Sequence, residues 1–384
     1  MPYASQRYSA DTIISNRAAL GDAAFGGFSR MPNGQASTKH CTIASLTPSF
    51  LTPFLSKSQV FVLLIIAVIQ LIASGCSNGD RAYIPPITGA VFTSPDEAWV
   101  LKHKGVLKRL SIDGRSINIS DAQQRVQGMS FISPTQAWTV DADWNIRHFD
   151  GVNWEFVGHN NDNKFPLVWP SSVSFADENV GWARTYNELF VTDDGGRTWK
   201  RVLVTELGGE PLRLFVVDRD NGYLHGVRGS VKRTTDRGKT WKSIELGPAG
   251  DVTAFACRDG GRECWAGTAR GEIFAISGDA SPKRIPFPTP KEMTITDIYL
   301  SGADSLLVSG FTLVRDGNPS PYGVLLTTSN DGAAWKKIDV PQDDGFEQVA
   351  SFGNTIWLAS HTAIYRSSDT GQSWTKVFSA ENDK

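Results

Sequence analysis

Apolar and polar positions alternate in short runs along most of this chain, and turn residues end each run before it reaches the length of an ordinary helix. One stretch shows the pattern in full: Ser172-Val173-Ser174-Phe175, Val180-Gly181-Trp182-Ala183, Glu188-Leu189-Phe190-Val191 and Trp199-Lys200-Arg201-Val202. Short runs of period two, bounded by Gly, Asn, Asp and Pro, predict β-strands. Four strands in a row make one unit, and the unit recurs.

The turn before the fourth strand carries the clearest repeat. Thr192-Asp193-Asp194-Gly195-Gly196-Arg197-Thr198-Trp199 returns as Thr234–Trp241, Thr328–Trp335 and Ser367–Trp374. The shared form is S/T-x-D/N-x-G-x-x-W, with Asp194, Asp236, Asn330 and Asp369 at the acidic or amide position and Trp199, Trp241, Trp335 and Trp374 closing it. Asp150–Trp154 is a shortened copy and Ser111–Gly114 a degenerate one. An aromatic precedes the closing tryptophan by 16 to 18 residues at Trp138, Trp182, Tyr223 and Trp357, and Trp99 and Trp265 lie in equivalent runs. Asp304–Gly310 plays the same part without an aromatic. Tryptophans 154, 199 and 241 stand 45 and 42 apart, and Trp335 follows Trp241 by 94, two periods with one box lost near Pro282.

Four-strand units of about 40–45 residues, repeated seven times, predict an all-β, seven-bladed β-propeller over residues 88–384. Thr88–Ile119 and Phe346–Phe378 each read as a whole repeat, so the ring is expected to close without mixing strands from the two ends. The box has a local role. Its Asp or Asn accepts hydrogen bonds from nearby amides, its Gly takes a positive φ, and its Trp buries a large face between elements. These box residues, and the second-strand aromatics, are read as structural.

Composition narrows the function. The 384 residues hold 38 Lys+Arg and 40 Asp+Glu, a net charge of −2, which excludes nucleic-acid binding through bulk positive charge. The apolar fraction of 40% is that of a globular chain.

The first 87 residues break the pattern. Residues 1–56 show no period and read as a disordered or over-long extension. Residues 57–76 hold Lys57, the apolar run Val60–Ala73, then Ala73-Ser74-Gly75 and Cys76. Fourteen apolar positions are short for a free-standing span. A short apolar run closed by small residues and a cysteine resembles a bacterial lipoprotein signal, with Cys76 the lipidated N-terminus and residues 77–87 a linker. That resemblance implies an exported protein held at a membrane and facing the periplasm or cell exterior, and Ser77 implies the outer membrane of a Gram-negative cell. The alternative is an uncleaved anchor, and either reading exports the remainder. Loss of residues 1–75 leaves a net charge of −5.

Cys257 and Cys264 flank a turn-rich hexapeptide between apparent strands. A hairpin would bring them together, and export favours a disulfide over two free thiols. A metal site would need further ligands that the neighbourhood lacks, and no cofactor is expected.

Candidate binding residues fall in the loops between second and third strands. Arg184, Arg228, Arg270 and Arg315 come from four different blades, with Trp144, Tyr186 and Tyr322 among them. Arginine suits bidentate contact with carboxylate or phosphate, and aromatics anchor interfaces. Asp141, Asp143 and Glu188 lie among them, so an ordinary solvated rim is the alternative. Gly158–Pro170, ending near Trp169, is the longest polar insertion and reads as a lid or a partner contact.

The box matches the Asp-box, or BNR, repeat of sialidases and of many non-enzymatic propellers. Sialidases resemble this chain in the boxes, but their Arg-Ile-Pro motif is matched only by Arg284-Ile285-Pro286, far from a domain start, and no catalytic residue is assigned. Boxes such as Thr192–Trp199, with strands such as Val180-Gly181-Trp182, resemble the photosystem II assembly and stability factor family. That resemblance implies a non-catalytic assembly chaperone with a protein partner, membrane-associated, meeting an arginine-rich face at Arg184, Arg228 and Arg270. A sialidase-like glycosidase or a glycan-binding propeller is the alternative.

Overall fold

A computed structural model describes residues 8–9, 86–112, 116–119, 125–159, 170–185, 188–203, 213–288, 293–312, 322–341 and 345–381. Cys76 with its signal segment, Trp169, Tyr186 and Arg315 lie outside the described residues. Seven antiparallel sheets follow one another along the chain. Blade 1 holds Ile87–Ser94, Glu97–Lys102, Val106–Ser111 and Ser116–Asn118. Blade 2 holds Val126–Ser133, Gln136–Asp141, Asn145–Phe149 and Trp154–His159. Blade 3 spans Ser172–Phe175 to Lys200–Leu203, and blade 4 spans Arg213–Val216 to Lys242–Glu245. Blade 5 runs from Val252–Arg258 to Lys283–Ile285, blade 6 from Met293–Leu300 to Lys336–Ile338, and blade 7 from Gln348–Phe352 to Thr375–Ser379. The protein is an all-β, seven-bladed propeller of four-stranded blades. Blade 2 carries one addition, in which Tyr8–Ser9 pairs with Phe131 and Ser130 on its first strand.

The first strand of each blade is the inner one. Its free edge is stitched to the next blade by polar side chains. Ser130 Oγ accepts from Phe175 N at 2.8 Å, Asp297 Oδ2 from Val349 N at 3.0 Å, and Gln348 Oε1 from Ala90 N at 3.1 Å. Arg213 Nη1 donates to Thr253 O, and Thr253 Oγ1 to Ile295 O. Buried strand edges carry backbone groups that need partners, and these side chains supply some of them. Blade 7 also meets blade 1 through the main chain, with Ile87 N donating to His361 O at 2.8 Å. The ring closes without sharing strands.

Second-strand aromatics fill the joints between blades. Trp99, Trp138, Trp182, Tyr223 and Trp357 are fully buried. Trp138 stacks on Phe175 of blade 3 with centroids 4.1 Å apart, and Trp357 stacks on Phe92 of blade 1 at 5.5 Å. Their ring nitrogens reach across as well: Trp138 Nε1 donates to Gly195 O and Trp357 Nε1 to Ser94 O, both at 3.1 Å. Truncating such a ring to alanine typically costs about 3–5 kcal/mol.

The boxes lie between third and fourth strands and share one geometry. Thr192 Oγ1 donates to Asp194 Oδ1 at 2.7 Å, and the same oxygen accepts Thr198 N at 2.9 Å. Thr198 Oγ1 closes the turn on Asp194 Oδ2 at 2.6 Å. The set recurs around Asp236 and Asp369, and Asn330 accepts the two bonds its single carbonyl allows. Hydrogen bonds from the Ser373 hydroxyl and amide, then from Ser367, hold the Asp369 carboxyl at about 2. Gly196 has φ +94°, and a Cβ there would lie 2.9 Å from Ile146 Cγ2 of blade 2, so conformation and space both demand glycine. Trp199 and Trp241 bond the glycine carbonyl of their own box, at 3.1 and 3.0 Å. Trp335 and Trp374 instead bond Pro286 O and Asp339 O at the end of the preceding blade, at 3.1 and 2.8 Å.

Candidate functional site

In an antiparallel four-strand blade, the first and third turns lie at one end and the second turn at the other, with the connection to the next blade. The boxes therefore define one face, and the loops singled out for binding define the opposite one. Strand register sets what reaches that face. The last residues of second strands in blades 1 to 4 are Lys102, Asp141, Arg184 and His225, paired with Ile87, Val126, Ser172 and Arg213 at the starts of inner strands. All four are buried, a row of polar groups beneath the loops.

Their surroundings differ. Asp141 organises its own loop: Oδ1 accepts Asp143 N and Asn145 N, each at 2.9 Å, while Oδ2 accepts Asn145 Nδ2 at 2.8 Å and Arg147 Nη1 at 3.3 Å. His225 Nδ1 donates to Val252 O at 3.2 Å, and its ring stacks on Phe255 at 5.0 Å. Burial, helped by nearby Arg213, lowers its pKa to about 3. It is a neutral strut between blades 4 and 5.

The arginine loops do not form one exposed ring. Arg184 is only 3% exposed, and its carbonyl accepts Ser171 N at 2.7 Å. The reason is that Arg184 still belongs to the second strand, which packs between neighbouring blades. Arg228 and Arg270 are exposed, and each lies against the same connection. Arg228 N donates to Asp251 Oδ1 at 2.8 Å, in the connection joining blades 4 and 5. The Arg270 stem lies on the same connection, since a Cβ on Gly250 would approach its Cγ to 2.8 Å. The backbone of Arg228 and the stem of Arg270, from adjacent blades, thus lie against one connection that carries Asp251. Glu272 fixes that loop from below, accepting Gly250 N at 3.1 Å and pairing with Arg284 at 3.3 Å.

Trp144 takes φ +62° and turns its ring onto blade 3, edge-on to Phe190 at 5.0 Å and to Trp199 at 6.4 Å. It packs a joint between blades rather than standing out as an anchor. Tyr322 opens a third strand and packs against the core of blades 5 and 6. Cys257 and Cys264 are directly paired across the first hairpin of blade 5, and their sulfurs are joined. Beside them Arg258 lies over Trp265 at 4.4 Å and pairs with Asp331 of blade 6 at 2.9 Å.

Sequence reasoning missed Asp297. It sits at a bulge in the inner strand of blade 6, where its Oδ1 accepts Ile298 N at 2.9 Å and its Oδ2 accepts Val349 N. Enclosure by the inner strands raises its carboxyl to about 7, against the pull of those amides and of Arg213, with Glu347 adding to the rise. A raised carboxyl in a cleft is a signature of an acid catalyst. Here both oxygens are occupied by amides, so the group acts as a staple between blades 6 and 7. No period or motif marks it in the sequence. Among the described residues no group of three metal-ligating side chains is clustered, and no helix is long and apolar enough to cross a membrane.

Comparison with known proteins agrees with this architecture. Residues 114–287 match the family model described as photosynthesis system II assembly factor YCF48. The photosystem II assembly lipoprotein Ycf48 of Synechococcus sp. (strain CC9902) is 24% identical over 269 residues, which cover 66% of this chain and 75% of that protein. The solved structure of YCF48 bound to D1 peptide superposes with a TM-score of 0.52 at 19% identity, over 67% of this chain and 82% of that one. The WD40 propeller domain of Doa1 gives 0.51 at 12% identity, over 74% of this chain and 93% of that one. The structural likenesses speak for the fold. The chain is an Asp-box β-propeller that resembles the photosystem II assembly factors.

Proposed function

We propose that this chain is a non-catalytic, exported propeller, tethered at a membrane through its N-terminus, that binds a protein and serves the assembly of a membrane complex. The family-model match over residues 114–287 carries the reading, because it includes the boxes of blades 3 and 4 and the loops bearing Arg228 and Arg270. A relative named as an assembly lipoprotein and a propeller solved with a bound peptide support the tether and the kind of partner. The lipid would sit on Cys76, and cleavage there would take the Tyr8–Ser9 strand away from blade 2.

The face around Arg228 and Arg270 suits a partner segment carrying carboxylates, which arginine holds in paired hydrogen bonds. Among the described residues, three carboxylates on this side are engaged in structure: Asp141 by four donors, Glu188 by Arg201 at 2.7 Å, and Glu347 by His361 at 3.1 Å. That favours binding over glycoside hydrolysis, which needs two carboxyl groups free for the substrate.

The test is an affinity purification of the tagged full-length protein from its own membranes, compared with an Arg228→Glu/Arg270→Glu variant. Arg184 is left intact because a buried charge reversal would unfold the blade. A stoichiometric membrane partner lost in the variant supports the reading. Capture unchanged by the variant removes this face from it, and absence of any partner removes the assembly role.

A further inference from the structure

The outer rim of the propeller is not uniform. Among the described residues, four large apolar side chains stand in solvent: Ile112 at 49%, Ile117 at 62%, Val152 at 80% and Phe156 at 60%. All four belong to the outer parts of blades 1 and 2. At the position two residues after the box tryptophan, where blade 2 has Phe156, the intact boxes of blades 3, 4, 6 and 7 have Arg201, Ser243, Lys337 and Lys376.

Register shows that two of the apolar residues confront each other. Residues paired across strands point to the same side of a sheet. Ile117 is paired with Arg109, and Arg109 with Trp99, whose ring packs against Phe131 and Phe149 of blade 2. Ile117 therefore looks toward blade 2. Phe156 lies two residues beyond Trp154, whose ring is turned to Trp99 of blade 1 at 5.9 Å. Phe156 therefore looks toward blade 1. Between the outer strands the two blades form an apolar groove, with Ile112 and Val152 at its box-side end. The same register puts Glu155 toward Arg201 in the next groove, and Lys200 toward Ser243 in the one after.

Edge strands facing water usually carry charge, and outward-facing Ile and Phe are a liability unless something covers them. We infer that the bilayer surface covers this groove, so that the propeller rests on its membrane through the rim of blades 1 and 2. The inference rests on the N-terminal tether proposed above. The tether leaves the rim of these blades within reach of the lipid. The linker of residues 77–87 extends at most about 36 Å, while three strand spacings carry the chain from the inner to the outer strand of blade 1 in about 14 Å. Arg109 and Arg147, paired with Ile117 and Phe156, are held by Glu97 and Asp141, and this charge neutralisation lowers the cost of bringing the groove against an apolar surface.

The test places a nitroxide on Val152→Cys in the full-length protein, purified from membranes and reconstituted into phosphatidylcholine–phosphatidylglycerol vesicles. A control label on Ser243→Cys marks the opposite rim. Vesicle flotation is scored first, then collisional access of oxygen and of a water-soluble nickel chelate to each label. Docking predicts a several-fold fall in nickel access relative to oxygen at position 152 but not at 243, reversed by adding Ile117→Asn and Phe156→Ser with unchanged melting temperature. Protein that fails to float overturns the tether and this inference together. Protein that floats with equal nickel access at both labels overturns docking alone. Strong label–label coupling at 152 without lipid contact assigns the groove to a second copy, and also overturns it.

Discussion

Blades 1 and 2 share their interior with the other five blades but not their exterior. Inside, Trp99 and Trp138 fill the next joint as Trp182 and Trp357 do. Outside, the boxes of blades 1 and 2 have decayed and Ile117 and Phe156 replace the charged rim of blades 6 and 7. The difference teaches that the repeat is enforced from within. Close packing requires every joint to be filled, by an aromatic in most blades and by aliphatic side chains such as Leu307 in blade 6, whereas a surface turn or an outer strand can change with little loss of stability. Divergence then collects where a particular blade has a particular neighbour.

The largest expected effect tests the sameness inside. Trp99→Ala and Trp182→Ala should each lower unfolding free energy by about 3–5 kcal/mol, read by urea melts of the two variants side by side. A loss confined to Trp182→Ala would mean that blade 1 is only loosely packed onto blade 2, and the comparison would fail.

Further in, the blades differ by single ionisable groups, and their signs oppose. Asp297 has its carboxyl raised from 3.8 to about 7, so the folded protein holds the extra proton and gains stability as pH falls through that window. His225 is depressed from 6.5 to about 3, so the folded protein gives up a proton that the unfolded chain binds, and stability is lost as pH falls from 6.5. Between about pH 4 and 6.5 the two slopes, each about 1.4 kcal/mol per unit, nearly cancel. Asp297→Asn should therefore make stability fall on acidification in this range, and His225→Gln should make it rise. Denaturant midpoints at pH 6.5, 5.5 and 4.5 measure both slopes; parallel curves for the two variants would refute the assignment.

The smallest effect concerns the turns. Asp194→Ala removes acceptors for Thr192, Thr198 and its amide, a loss of about 1–3 kcal/mol. Asp150 in blade 2 accepts only the amides of Val152 and Asn153, at 2.8 and 2.7 Å, so Asp150→Ala should shift the melting temperature less. Equal shifts would show that the shortened turn is as constrained as the full box.

Much of the fold was legible because a propeller repeats its own signals. Period-two runs, the aromatic of the second strand and the box turn are local requirements, and seven tandem copies announce the ring. The binding face was less so. Loop membership put Arg184, Arg228 and Arg270 on one exposed face; Arg228 and Arg270 are exposed, but Arg184 is buried and Trp144 packs onto the next blade. A strand that runs one residue further, or a ring that turns through a positive φ onto the next blade, leaves no mark in a single sequence. Asp297 was invisible for a related reason, since its partner amide lies 52 residues away in another blade.

The sequence by itself determined the number of blades, their four-strand make-up and the chemistry of each intact box turn, because those depend on contacts within one repeat. Tertiary structure decided which polar groups are buried, which arginines stay exposed, and that Ile117 and Phe156 face one another. Those outcomes depend on how neighbouring sheets stack, and stacking brings together residues that no local pattern relates.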